Sequence, residues 1–279
     1  MSEEWPVYKR LNRKIFLLVM LLMSIIVAFR PLGFPVPPME TVQDFINTIE
    51  NTPDGSVVFL GFYHDVISFY VNSRDFYGAI MQHLATHNMK MIMLSYGRES
   101  AGAFEDMVIR YGLEEKYGYK YGVDYVIFPF LAGEESAIAA AADLKTAYTT
   151  DNRGDPIDTL PLLQTVSGIQ DAELCLFQSH IITIPHMFVR QWCIKYGIKG
   201  LSMGGYAQVA QYYGTYVFGS SDRAALYELD VGFPGEEVSK LDMVNLEGLL
   251  MAALILIGLV HSFLVSEKKA AVETGGVKK

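Results

Sequence analysis

The sequence predicts an α/β protein whose parallel sheet is covered by helices on both faces and whose chain carries an apolar helix near each end. Two patterns predict the sheet. Short, nearly continuous apolar runs recur along the middle of the chain, and longer segments with apolar residues every three or four positions separate them. Strands buried on both faces read as unbroken apolar runs, and parallel neighbours need a helix-length crossover between them. A third pattern predicts the end helices. Ile15–Phe29 and Gly248–Ser266 are almost wholly apolar, and neither contains Asp, Glu, Lys or Arg.

The elements follow in order. Residues 1–14 form a basic tail and 15–30 the first apolar helix. Residues 31–38 hold four prolines, which exclude a helix interior and predict a stiff extended linker. Residues 39–243 form the α/β domain. It opens with a helix whose Val42, Phe45, Ile46 and Ile49 line one face. Strands are expected at Ser56–Phe62, Lys90–Ser95, Asp124–Phe128, Glu173–Gln178 and Ile198–Leu201. Helices are expected around Asp75–His87, around Phe104–Tyr111, over Glu134–Lys145, after Pro185 and from Tyr206. Strands alternating with helices in this way predict a Rossmann-like sheet, parallel or mostly so. Tyr148–Leu160 is rich in turn formers and reads as an ordered loop. Residues 244–266 form the second apolar helix, and 267–279 a second tail.

About 20 apolar residues cross a bilayer as a helix, and Gly248–Ser266 meets that length; a core helix would carry a polar face. The first stretch is shorter, but Lys14 and Arg30 can reach outward from its ends. A cleaved signal peptide is the alternative, and Ala28-Phe29-Arg30-Pro31 lacks its small-residue cleavage pattern. Lys9, Arg10, Arg13 and Lys14 precede the first span. Lys268, Lys269, Lys278 and Lys279 follow the second, whereas Arg30 and Lys240 alone flank the inner ends. The positive-inside bias therefore predicts a plasma-membrane protein with both termini cytoplasmic and the middle domain outside. Residues 31–243 hold 13 Lys/Arg against 26 Asp/Glu, a net charge of −13. An acidic body repels nucleic acid, so no nucleic-acid partner is expected. Cys175 on a strand and Cys193 on the following helix read as free buried thiols.

The chemistry-bearing residues are sparse. Gly200-Leu-Ser-Met-Gly204, followed by Gly205, resembles the nucleophile elbow of α/β-hydrolases, with Ser202 as the nucleophile. The resemblance covers six residues. In that family the base follows the serine, and the only histidine after Ser202 is His261 in the second span. Ligands of open parallel sheets bind beyond the carboxyl ends of the strands. The residues expected there are His64 and Asp65, Arg98 and Glu99, Glu134 and Glu135, His180, and Ser202 with Gly204 and Gly205. They are the candidate ligand-binding set. No metal ligands and no cofactor are expected. Tyr117, Tyr119 and Tyr121, with Tyr206, Tyr212, Tyr213 and Tyr216, read either as interface residues or as half-buried packing. Gly248 and Ala252 form a small-xxx-small pair suited to helix packing in a membrane.

Three segments carry a looser resemblance. They are Phe130-Leu-Ala-Gly-Glu-Glu135 before an Ala-rich helix, Tyr148-Thr-Thr-Asp151 through Leu160-Pro-Leu162, and Ser221-Asp-Arg-Ala-Ala-Leu-Tyr-Glu228. Together they resemble a family of prokaryotic two-span membrane proteins with no known activity. The resemblance implies architecture and membrane location and no catalytic residue. The expected function is a membrane-anchored accessory or structural subunit whose partners are the bilayer, copies of itself or other membrane proteins. A small-ligand sensor using the strand-end crevice is the first alternative, and a serine hydrolase the second.

Overall fold

The computed structural model describes residues 13–30, 32–63, 69–70, 74–179, 181, 183–203, 216–217 and 221–275. One parallel sheet runs β3-β2-β1-β4-β5-β6. Its strands are β1 (Val57–Tyr63), β2 (Lys90–Ser95), β3 (Tyr125–Ile127), β4 (Leu174–Ser179), β5 (Lys199–Met203) and β6 (Tyr216–Val217). Chain order reverses between β1 and β4, so three strands build outward on each side of that line. The two-residue β6 was not anticipated from the sequence.

The described helices are α1 (Arg13–Phe29), α2 (Glu40–Glu50), α3 (Arg74–Thr86), α4 (Ser100–Tyr111), α5 (Leu113–Tyr117), α6 (Glu135–Ala140), α7 (Leu144–Ala147), α8 (Thr183–Phe188), α9 (Ser221–Asp230) and α10 (Glu236–Gly275). Side chains alternate along each strand, which splits the interior into two cores. Val58, Leu60, Phe62, Met91 and Met93 face a core closed by α2, α3, α4 and α9. Phe59, Ile92, Leu94, Cys175 and Phe177 face a second core closed by α6, the 144–172 segment, α8 and Trp192. Each strand therefore needs apolar residues at every position, and that is why the runs are continuous.

Two helices depart from expectation. Residues 134–145 are not one helix: α6 stops at Ala140, and Asp143 caps α7 by accepting from the Thr146 N–H. The Ala142 carbonyl then accepts from the Ile169 N–H at 3.2 Å, which pulls the chain out of helical register. After α8 the chain continues as a π-helix, Val189–Ile194, with the Trp192 indole donating to the Ile138 carbonyl at 2.9 Å. Beside it Cys175 and Cys193 are buried and unbridged, with their Sγ atoms 3.3 Å apart. The 148–160 loop is ordered as expected. Its buried Asp151 accepts from the Arg153 and Asp155 N–H groups and from the Tyr121 hydroxyl.

The chain forms two compact units, 1–34 with 239–279, and 35–238. Among the described residues one helical stretch, Glu236–Phe263, is long and apolar enough to cross a membrane, and its most apolar 18 residues are wholly unburied. It belongs to the unbroken 40-residue α10, which starts before the expected boundary at 244. The apolar part of α1, Leu17–Phe29, is shorter than a span. The Pro-rich linker is not free at its start. The Leu32, Gly33 and Phe34 N–H groups converge on the Asp242 carboxylate of α10 at 2.5, 2.9 and 2.9 Å. Gly33 permits this with a left-handed φ of 67°, which turns successive amides toward one anion.

Candidate functional site

Among the described residues, the carboxyl ends of the strands bring no two members of the expected set into contact across elements. His64, Asp65, His180, Gly204 and Gly205 lie outside the described residues. Arg98 and Glu99 are exposed just before α4. Glu135 is held by Arg190 at 2.9 Å and Gln191 at 3.0 Å, which lowers its pKa to about 2. It is therefore a surface anchor between α6 and the π-helix. Glu134 is exposed and has a left-handed φ of 48° without being glycine, a strained turn beyond β3. Ser202 is buried inside β5, not in the turn after it, and its Oγ has no hydrogen-bond partner among the described residues. A nucleophile elbow needs the serine in the turn. Ser95 at the end of β2 is likewise buried and unpartnered, as is the Tyr96 hydroxyl. Strand alternation puts Ser95 on the α3 face, with Met91 and Met93, and Ser202 on the opposite one, with Phe177, so the two hydroxyls do not converge.

The two ends of α3 carry the densest polar chemistry. At its N-terminus Arg74 bridges Asp75 at 3.3 Å and Glu236 at 3.1 Å. Tyr111 lies flat on Gly78, where a Cβ would overlap its ring, and its hydroxyl donates to Asp75. Burial opposes the Asp75 carboxylate, yet the hydrogen bonds it accepts from Arg74 and the Tyr111 hydroxyl help hold its pKa below the ordinary value. Glu228 of α9 is fully buried nearby. Its Oε2 accepts from the Gly235 and Val238 N–H groups at 2.8 and 3.2 Å, and so caps α10. Burial pushes Glu228 up to about 8 despite those two bonds, and the negative Glu237 and Asp75 add to the shift.

At the other end of α3, His83 and His87 meet Glu50, the last residue of α2. His83 Nε2 lies 2.9 Å from Glu50 Oε1 and His87 Nε2 lies 3.3 Å from Glu50 Oε2. The outward nitrogens are also engaged: His83 Nδ1 with the Tyr227 hydroxyl at 2.8 Å, His87 Nδ1 with Asp54 at 2.9 Å. Burial holds the His83 pKa below its ordinary value, and the His83 hydrogen bond lowers that of Glu50. This group sits at the amino ends of β1 and β2, opposite the strand ends where the sequence placed a site. The signal that could have found it is the spacing His83-Leu-Ala-Thr-His87. Four residues apart on a helix, two side chains share a face.

The tyrosines of 117–121 are packing residues. Tyr119 is buried and donates to the Met89 carbonyl at 2.7 Å, Tyr121 donates to Asp151, and the half-buried Tyr117 packs against the α3-side core. Tyr206, Tyr212 and Tyr213 lie outside the described residues. No protein-family model, curated protein or solved structure matches the chain.

Proposed function

We propose that this protein is a membrane-anchored accessory subunit, with a Rossmann-like domain held outside the cell by a two-helix anchor and assembled with its own copies or with other membrane proteins. The observation that carries the reading is α10. It leaves the α/β domain at Glu236 without a linker and presents Leu249, Ile255, Leu256, Ile257, Leu259, Val260 and Phe263 unburied along its apolar length. Such a surface needs lipid or protein around it. The Asp242 clasp supports a paired anchor, because it ties the exit of α1 to α10. Gly248 and Ala252 leave room on α10 for a close helix neighbour. The basic tails set both termini in the cytoplasm.

Alkaline carbonate extraction tests the anchor: the full-length protein stays with the membrane, and its release into the supernatant sinks the reading. Mass measurement in mild detergent tests assembly, and a strict monomer that recruits no membrane partner removes it. Single cysteines placed in either tail, labelled in intact cells with an impermeant reagent, stay unreactive if both tails are inside.

A second reading, a small-ligand sensor, draws on the reversal of strand order between β1 and β4, since open parallel sheets bind ligands beyond the carboxyl ends of the strands at such a reversal. The buried, unpartnered Ser95 and Tyr96 hydroxyls at the end of β2 favour it. Mass spectrometry of the natively purified protein decides it, since no bound small molecule means no sensor of this kind.

A further inference from the structure

We propose that Glu50, His83 and His87 bind a divalent first-row transition-metal ion, with zinc the best match, at the amino edge of the sheet. Their ligand atoms all lie within 4.8 Å of one another. Tetrahedral ligands about 2.1 Å from a zinc ion stand about 3.4 Å apart. The 2.9 and 3.3 Å separations from Glu50 to the two imidazoles are therefore within about 0.5 Å of those of a loaded site.

The outer contacts argue for a cation more strongly than the inner ones. A metal-bound histidine donates its second N–H to a carboxylate, carbonyl or hydroxyl, which sets the tautomer and the ring plane. Both histidines here are built that way, His83 toward Tyr227 and His87 toward Asp54, each with Nε2 left for the shared centre. His87 stands between two carboxylates, and a carboxylate offers no proton to either ring nitrogen. A neutral imidazole has one N–H, so it donates to one carboxylate and turns a lone pair toward the other. A metal shared with Glu50 is the natural partner of that lone pair.

The backbone fixes the set without help from the metal. His87 lies just past the end of α3, where Asn88 takes a left-handed φ of 53° and stops the helix. The Gly55 N–H donates to the His87 carbonyl at 3.0 Å, which brings the Asp54 turn beneath the ring. Glu50 remains about half exposed, leaving one side of the centre open to a water as fourth ligand. Two imidazoles and one carboxylate select a borderline transition ion over magnesium or calcium, which prefer oxygen alone. Placed between the end of α2, the turn into β1 and the end of α3, the ion ties together three segments that leave the helical layer for the sheet.

The test uses full-length protein in mild detergent, without a polyhistidine tag, stripped by a chelator and titrated with zinc alone. One zinc per chain is expected, and the cobalt-substituted form should show the visible absorption of a tetrahedral site. Glu50→Gln and His87→Ala should each weaken zinc binding on the order of 100-fold or more, and Asp54→Asn about 10-fold. Zinc should raise the melting temperature of the wild type and leave that of Glu50→Gln unchanged. Wild-type protein that binds no stoichiometric zinc overturns the proposal. So does binding that survives both Glu50→Gln and His87→Ala at wild-type strength. If His87→Ala does not fold, Glu50→Gln carries the test alone, because it keeps the side chain's shape and one acceptor oxygen.

Discussion

The two ends of α3 solve opposite electrostatic problems with the same materials. At the C-terminal end, imidazoles and carboxylates interleave, and each His83 and His87 nitrogen faces an oxygen. At the N-terminal end carboxylates crowd together, with Arg74 and the Tyr111 hydroxyl serving Asp75, while the bonds to Glu228 seen among the described residues come from backbone N–H groups. Consecutive residues of α9 serve one end each: Tyr227 reaches His83, and Glu228 turns back to cap α10. A buried carboxylate tolerates burial only with a counter-charge, and without one it takes up a proton. The first end is thus suited to hold a cation and the second to hold a proton.

The largest expected effect lies at the proton-holding end. Glu228 is raised from 4.5 to about 8 on folding. Between those values the folded chain keeps a proton that the unfolded chain loses. Stability is therefore full below about pH 4.5 and falls as pH rises toward 8, by at most about 1.4 kcal/mol per unit. Glu228→Gln keeps an acceptor for Gly235 and Val238 and removes the titration. It should gain on the order of 3 kcal/mol over wild type by pH 8.5, with equal stability near pH 4.5. The difference between the two melting curves cancels every other titrating group. A gap that does not widen with pH would mean that Glu228 is ionised in the fold.

His83→Ala should cost about 3 kcal/mol, since it leaves a void and strands the Tyr227 hydroxyl in the core. Denaturant unfolding measures it, and a loss below about 1 kcal/mol would show that the cation-holding end contributes little to the fold. Gly78→Ala sets two terms against each other. Alanine is the better helix former by about 1 kcal/mol. Its Cβ, however, would displace the Tyr111 ring and break the bond to Asp75, and overpacking typically costs about 1–3 kcal/mol. Net destabilisation of about 1 kcal/mol is expected, and a stabilised variant would show that the Tyr111–Asp75 contact is dispensable. The smallest effect belongs to the strand-end hydroxyls. Ser95→Ala and Ser202→Ala each remove a buried, unpartnered oxygen and should raise stability by up to about 1 kcal/mol. A loss in either case would reveal a partner for that hydroxyl and favour the crevice as a binding site.

Much of the fold was legible because burial on two faces leaves a local trace. Ser56–Phe62 and Lys90–Ser95 read as strands from composition alone, and the i, i+3, i+7 stripe of Val42, Phe45 and Ile49 marks α2 correctly. The break after Ala140 was not legible. Four consecutive alanines favour helix, and what ends it is the Ala142–Ile169 contact, 27 positions along the chain. The Glu50–His83–His87 cluster was not anticipated for a related reason. Polar residues after strands are common in any α/β chain, and they drew the reading to the carboxyl ends. The His83–His87 spacing was visible, but its meaning depends on Glu50 and Asp54, each 33 positions from its histidine, and on Tyr227, 144 positions from His83.

By itself, then, the sequence determined the α/β class, an apolar C-terminal helix of spanning length and an acidic body, since hydropathy period and charge are sums over neighbouring residues. Only the tertiary structure decided the strand order, the clasp of Asp242 on residues 32–34, and which carboxylates meet histidines and which meet one another. Those outcomes depend on contacts between residues far apart in the chain, which no sum over neighbours records.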